Sequence, residues 1–219
     1  EQELHAEILV RMFDEEGQMV SPMAFIPAAE RYGLITELDR WIIKTALHEC
    51  AWLGDRLGNA GIAINISGNS LNDESLPAFV RAQLASSNIT PSRVCFEVTE
   101  TAAVNRLSLA KRLIDDFREL GCSFALDDFG SGLSSFNYLK HLPVELLKVD
   151  GSFVRDMPND PVDEAMVRSI NQIGHLMGIK TVAEHVENAS VLAAAIASGV
   201  DFLQGYALGR PVPLREIGA

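Results

Sequence analysis

Short apolar runs rich in valine, isoleucine and leucine alternate along this chain with longer stretches whose apolar positions return every three or four residues. The first pattern fits buried strands and the second amphipathic helices, so their order predicts a parallel sheet built from βα units. Seven strands are predicted, over residues 5–11, 62–66, 94–98, 123–127, 146–150, 180–184 and 202–204. Helices are predicted over 37–57, 76–86, 108–120, 162–177 and 189–198. Gly121, Gly178 and Gly199 stand just after three of these helices, where a glycine cap leads into the next strand. In helix 162–177 the residues Val162, Met166, Ile170, Ile173 and Met177 fall on one face, and its methionines read as core filler. Trp41 and Trp52 read as packing residues of helix 37–57.

Periodicity alone leaves an open doubly wound sheet and a barrel equally available. The polar residues favour the barrel, because nearly every strand carries one late in its course, where a barrel gathers its site. Side chains two apart share a strand face. By that parity Asn65 sides with Ala63, Glu97 with Cys95, Asp127 with Ala125, Lys148 with Leu146, Glu184 with Val182 and Gln204 with Phe202. In the first strand Glu7, Leu9 and Arg11 share one face, while Ala6, Ile8, Val10 and Met12 form an apolar face toward the helices. So many carboxylates in one place repel unless cations accompany them. Carboxylates with one amide oxygen suit hard ions such as Mg2+ or Mn2+, and no His or Cys cluster competes for zinc. Asp127-Asp128-Phe129-Gly130-Ser131-Gly132 puts two adjacent acids at a strand end ahead of flexible glycines, the pattern of a metal-binding loop.

Composition narrows the ligand. The 219 residues make one sizeable domain, and 47% hydrophobic with 22% charged residues places the chain among soluble globular proteins. No apolar run approaches the ~18 residues of a membrane span, and no signal peptide stands out, so no membrane contact by this domain is expected. The net charge of -12 argues against a DNA or RNA polymer and leaves a small anion whose charge is met by metal ions. Cys50, Cys95 and Cys122 show no CxxC spacing and fit a reducing, cytoplasmic setting; Cys95 and Cys122 read as small buried hydrophobes. The chain opens on Glu1, almost at once in a strand, and reads as an excised piece.

Taken together, these residues resemble the EAL family of cyclic di-GMP phosphodiesterases. The matching motifs are Glu7-Ile8-Leu9 with Arg11, Phe25-Ile26-Pro27 with Ala29-Glu30, Asn65-Ile66-Ser67 and Glu97-Val98-Thr99-Glu100. They continue, in family order, with Asp127-Asp128-Phe129-Gly130, Leu147-Lys148-Val149-Asp150, Ala183-Glu184 with Val186-Glu187, and Gln204-Gly205-Tyr206. The resemblance implies an α/β fold, a modified TIM-type (β/α)8 barrel with one antiparallel strand. The family's N-terminal helix and first strand have no counterpart ahead of Glu7, so residues 1–219 are expected to be an EAL domain truncated at its N-terminus.

The same resemblance implies two Mg2+ or Mn2+ ions, one held by Glu7, Asn65, Glu97 and Asp127 and the second served by Asp127, Asp128 and Glu184, with Asp127 between them. Lys148 would orient the attacking water, Glu184 would act as base, and Leu9, Arg11, Asp150, Glu187 and Gln204 would contact or support substrate. Glu100 would pin the loop after Asp128. The implied reaction is hydrolysis of cyclic di-GMP to linear pGpG, in a homodimer flanked by regulatory partners such as a GGDEF or sensor domain. A catalytically weak receptor for the nucleotide, or a protein-interaction module, is the alternative, but such members typically lose ligands that this sequence keeps.

Five residues that depart from the family pattern concern packing and loops. Ile8 replaces alanine, Ser131 and Leu133 replace threonine and tyrosine, His185 replaces glycine, and Asn188 replaces threonine. Glycine at position 185 would permit a positive φ that histidine tolerates less well. His185 itself reads as a rim residue beside the inward Glu184 rather than a metal ligand.

Overall fold

A computed structural model describes residues 5–53, 60–132 and 136–217. The chain divides into two compact units, the first formed by Glu1–Glu97, Asp116–Ser123 and Val212–Ala219, the second by Val98–Asp115 and Phe124–Pro211.

In the first unit β1 (His5–Ile8) leads into a two-stranded antiparallel ribbon, β2 (Met12–Phe13) and β3 (Met19–Val20). Helices α1 (Pro22–Arg31) and α2 (Ile35–Leu53) follow, then β4 (Gly61–Asn65), α3 (Leu76–Ser87) and β5 (Val94–Thr99). Ser21 caps α1 with its hydroxyl and Pro22 takes the first turn, where a missing N–H costs nothing. β1 runs parallel to β4, and β4 to β5, in a register that sets Glu7 opposite Ala63 and Asn65 opposite Glu97. Ile62, Ile64, Val94 and Phe96 are fully buried under the helices, and Phe96 meets the Phe117 ring at 4.5 Å.

The tryptophans of α2 are not packing residues: Trp41 is 55% exposed and Trp52 68%. The buried stripe of α2 runs through Asp39, Ile43, Ala46, Leu47 and Cys50, and each tryptophan lies two residues, about 200°, away from a member of it. Asp39 belongs to this stripe because its carboxylate accepts from the Ser67 amide at 2.9 Å and the Ser70 hydroxyl at 2.6 Å, although burial still pushes its pKa upward.

The second unit contains α4 (Glu100–Asn105), most of α5 (Leu107–Glu119), β6 (Ser123–Phe129), β7 (Leu146–Val149), α6 (Gly151–Asp156), α7 (Pro161–Leu176), β8 (Lys180–Ala183), α8 (Ala189–Ser198) and β9 (Phe202–Leu203). β6, β7, β8 and β9 pair in that order, all parallel. Antiparallel pairing among the described residues is that of the β2–β3 ribbon. Asp160 caps α7, Pro161 opens it, and Asp163 and Glu164 complement its N-terminal dipole. Its inward face is Val167, Ile170, Asn171 and Gly174, rotated from the expected one, and Val162 stays 68% exposed. Gly174 decides the rotation: a Cβ there would lie 3.0 Å from Thr181 Cγ2 and 3.1 Å from the Ile179 carbonyl oxygen. The helix therefore sits closest to β8 where it has no side chain.

Cys95 and Cys122 are buried, as expected, Cys50 is buried too, all three are free, and burial pushes the Cys122 thiol up to about 12. Gly121, Gly178 and Gly199 all take positive φ after their helices. Among the described residues no helix is long and apolar enough to cross a membrane.

Candidate metal centre

Strand parity alone would send Asp127 and Asp128 to opposite faces. The register prevents this: Leu126 pairs with Leu147 and Phe129 with Val149, so the two aspartates of β6 oppose the single residue Lys148 of β7. This is a β-bulge, and Asp128 absorbs it with φ 52, in the left-handed region that Asp tolerates better than most residues. Carboxylate oxygens of Asp127, Asp128 and Glu184 consequently lie within 4.8 Å of one another. Lys148, only 3% exposed in its side chain, sets Nζ 3.2 Å from Asp127 Oδ1 and 2.9 Å from Glu184 Oε1. Lys148 can reach both because β7 lies between β6 and β8.

The electrostatics of this cluster favour a cation. Although Asp128 is exposed as a residue, desolvation of its carboxyl raises its pKa, and the carboxylates of Asp127 and Asp150 raise it further against the pull of Lys148 and His185. One lysine does not neutralise so many acids. A divalent cation would, and hard carboxylate oxygens at this spacing fit Mg2+-like ions.

Behind the bulge, the buried Glu100 accepts from the Gly130 amide at 2.8 Å and from the Tyr138 hydroxyl. Glu100 thus grips the backbone just after Asp128. Tyr138 had no sequence signal, since its phenol looks like one more aromatic of an apolar segment. Replacing Glu100 by alanine takes the acceptor from a part-buried amide and a buried hydroxyl, at about 1–3 kcal/mol for each buried donor that finds no other partner. The expected outcome of Glu100→Ala is a lower thermal midpoint together with weaker Mn2+ binding in calorimetry; unchanged ion affinity would separate Glu100 from the metal loop.

Asp150 lies at the end of β7 but spends its Oδ1 capping α6, accepting from Ser152 N at 2.7 Å. Glu187 is exposed, with its Oε1 3.9 Å from His185 Nδ1. The Gln204 amide is tied to the Ala183 carbonyl at 2.9 Å, and its side chain is half-buried. His185 does take a positive φ, 53°. Asn188 caps α8, accepting from the Ser190 and Val191 amides, while Ser131 donates its hydroxyl to the Asp128 carbonyl at 2.8 Å. Leu133 falls outside the described residues.

In the first unit, Asn65 Nδ2 donates to Glu7 Oε1 at 2.6 Å, and Glu97, 3% exposed, stands opposite Asn65 on β5. Carboxylate and amide oxygens are donor types that hard ions accept. Leu9 is 41% exposed. Arg11 is exposed too and turns its guanidinium to the Val10 carbonyl at 3.0 Å.

Parallel strands alternating with helices, and carboxylates with a lysine at the strand ends, define a TIM-barrel-like α/β protein with an acidic, metal-competent centre. More narrowly, the chain belongs to the EAL domain family, whose sequence model matches residues 1–211. It is 40% identical over 208 residues to the cyclic di-GMP phosphodiesterase PdeB of Shewanella oneidensis, covering 95% of this chain and 24% of that protein. Its fold matches the Pseudomonas aeruginosa FimX EAL domain bound to c-di-GMP, with TM-score 0.91 and 30% identity over 100% of this chain and 88% of that one. It also matches the MucR phosphodiesterase–c-di-GMP complex, with TM-score 0.90 and 32% identity over 96% of this chain and 85% of that one. MucR of P. aeruginosa is named a bifunctional diguanylate cyclase/cyclic di-GMP phosphodiesterase. The chain spans about a quarter of the length of the curated relatives it matches first.

Proposed function

We propose that this chain hydrolyses one phosphodiester bond of cyclic di-GMP, giving linear pGpG. The observation that carries this reading is the Asp127–Asp128–Glu184 cluster with Lys148 set between two of its acids, in a family whose relatives bear the phosphodiesterase name. Asp127, Asp128 and Glu184, with Glu7, Asn65 and Glu97 as further ligands, are the residues for two Mg2+ or Mn2+ ions. Such ions supply Lewis-acid charge for the phosphate oxygens and lower the pKa of water.

The chain's own residues do the rest. Lys148 orients the water with its ammonium hydrogens and adds positive charge where the phosphate gains negative charge. Glu184 takes a proton from the attacking water and returns it to the departing oxygen as the P–O bond breaks. Arg11 offers its planar fork to a phosphate oxygen pair. Leu9 and Gln204 contact the nucleotide, while Asp150 and Glu187 support the strand ends on which the catalytic residues sit. We place the domain in the cytoplasm, as a homodimer and as one module of a longer signalling protein, in keeping with the relatives' length and with MucR's two activities.

The test is turnover of cyclic di-GMP with Mg2+, with Mn2+ and with chelator, beside Glu7→Ala. We expect a linear product that requires metal and is lost with chelator and in the variant. Tight nucleotide binding without metal-dependent turnover overturns the reading in favour of a receptor.

A further inference from the structure

The β7–β8 register pairs Lys148 with Val182 and Val149 with Ala183, so its continuation brings Asp150 level with Glu184 and Gly151 level with His185. The two strand exits then part, one into α6 and the other into the loop toward α8. Between them the His185 ring lies on the bare Cα of Gly151. A Cβ on Gly151 would clash with the His185 side chain, 2.6 Å from its Cγ, closer than real Cβ atoms come, and 3.0 Å from its Cβ. Gly151 does not take a positive φ, so its lack of a side chain serves space rather than backbone freedom.

His185 holds its place against two costs. Its φ of 53° is a left-handed conformation that a β-carbon disfavours, and its side chain is about half exposed, so burial does little to retain it. The neighbouring residues are fixed on both sides. Glu184 is bound to Lys148 at 2.9 Å, and the Val186 amide donates to the Gln204 carbonyl at 2.9 Å. The turn at His185 therefore connects two anchored residues, and the ring seated on Gly151 sets how far the β8 exit stands from the β7 exit.

We propose that His185 is a positioning residue that, with Gly151 as its size-matched partner, sets the approach of Glu184 to Lys148. This deepens the phosphodiesterase reading and rests on it only for its effect on turnover. The steric half has its own signature. Gly151 occupies the first position of α6, where alanine is ordinarily the better residue. Gly151→Ala should nonetheless lower the thermal midpoint by about 4 °C or more in the parent, and should be neutral or stabilising when combined with His185→Gly.

The positioning half is read on folded protein well below the midpoint. His185→Gly removes the strained φ, so its midpoint stays level or rises, while Mn2+ affinity by calorimetry falls several-fold and kcat for cyclic di-GMP falls with KM little changed. A merely structural histidine would move the midpoint and leave ion affinity and kcat alone. Equal effects of Gly151→Ala with and without His185, or a His185→Gly variant that matches the parent in Mn2+ affinity, overturn the proposal. If the parent binds Mn2+ and shows the Gly151–His185 coupling but turns over no cyclic di-GMP, the phosphodiesterase reading fails and the positioning of Glu184 stands.

Discussion

Replacing Lys148 with methionine is expected to lower cyclic di-GMP turnover by about 10²- to 10³-fold, the usual loss when a preorganised donor to the reacting charge is removed. Methionine keeps most of the length and the apolar stem, so the change isolates the ammonium. In the parent that ammonium lies between Asp127 and Glu184, at 3.2 and 2.9 Å, with its side chain almost wholly buried. Taking it away leaves two carboxylates facing each other without their lysine, which in metal-free protein should cost about 3–5 kcal/mol. A divalent ion replaces part of that charge. The variant's thermal midpoint should therefore depend on Mn2+ more steeply than the parent's, and added Mn2+ should restore its stability but not its turnover. Lys148→Arg should not rescue the rate, because a planar fork cannot occupy the place of a compact ammonium. Turnover of Lys148→Met within threefold of the parent would remove Lys148 from the chemistry.

Much of the pattern of polar residues late in the strands could be read from the sequence because strand parity is a short-range property. Asn65, Glu97, Lys148 and Glu184 needed only their place at a strand end, and the strands announced themselves as compact apolar runs bounded by glycine-capped helices. What stayed hidden depended on backbone geometry or on residues that hydrophobic patterns ignore. The ribbon of β2 and β3 has strands of two residues, too short for any period. Helix α1 carries Pro22 and Pro27, which read against a helix unless Ser21 is recognised as its cap. The inward face of α7 is marked by Gly174 and by Asn171, whose amide oxygen accepts from the Thr181 hydroxyl at 2.5 Å, so the spacing of apolar residues alone gave a face that shares Ile170 but is rotated from the true one. Trp41 and Trp52 misled in the opposite sense, since size suggested burial while Asp39, buried for its hydrogen bonds, defined the stripe.

The most informative hidden feature is the bulge, because it lets Asp128 join Asp127 at the cost of strain and repulsion. Asp128→Asn tests this cost directly. Asparagine tolerates the left-handed backbone as well as aspartate does, so the turn at φ 52 survives the change. What goes is a carboxylate whose pKa is raised by desolvation and by Asp127 and Asp150. A carboxyl with a folded pKa above its unfolded value favours folding while protonated, and that advantage is lost as pH rises through the folded value. In chelator, then, Asp128→Asn should be more stable than the parent at neutral pH. The gap should close as pH falls through the raised pKa toward the ordinary aspartate value of about 3.9. With metal present the order should reverse, since the variant has given up a ligand: Mn2+ affinity should drop by about 10- to 100-fold, and cyclic di-GMP turnover should fall by at least as much. Denaturant melts at several pH values, run with chelator and with Mn2+, read both signs on one protein. A variant less stable than the parent in chelator at neutral pH would mean that Asp128 is held by favourable contacts, and that the bulge was not bought at the expense of stability for the sake of an ion.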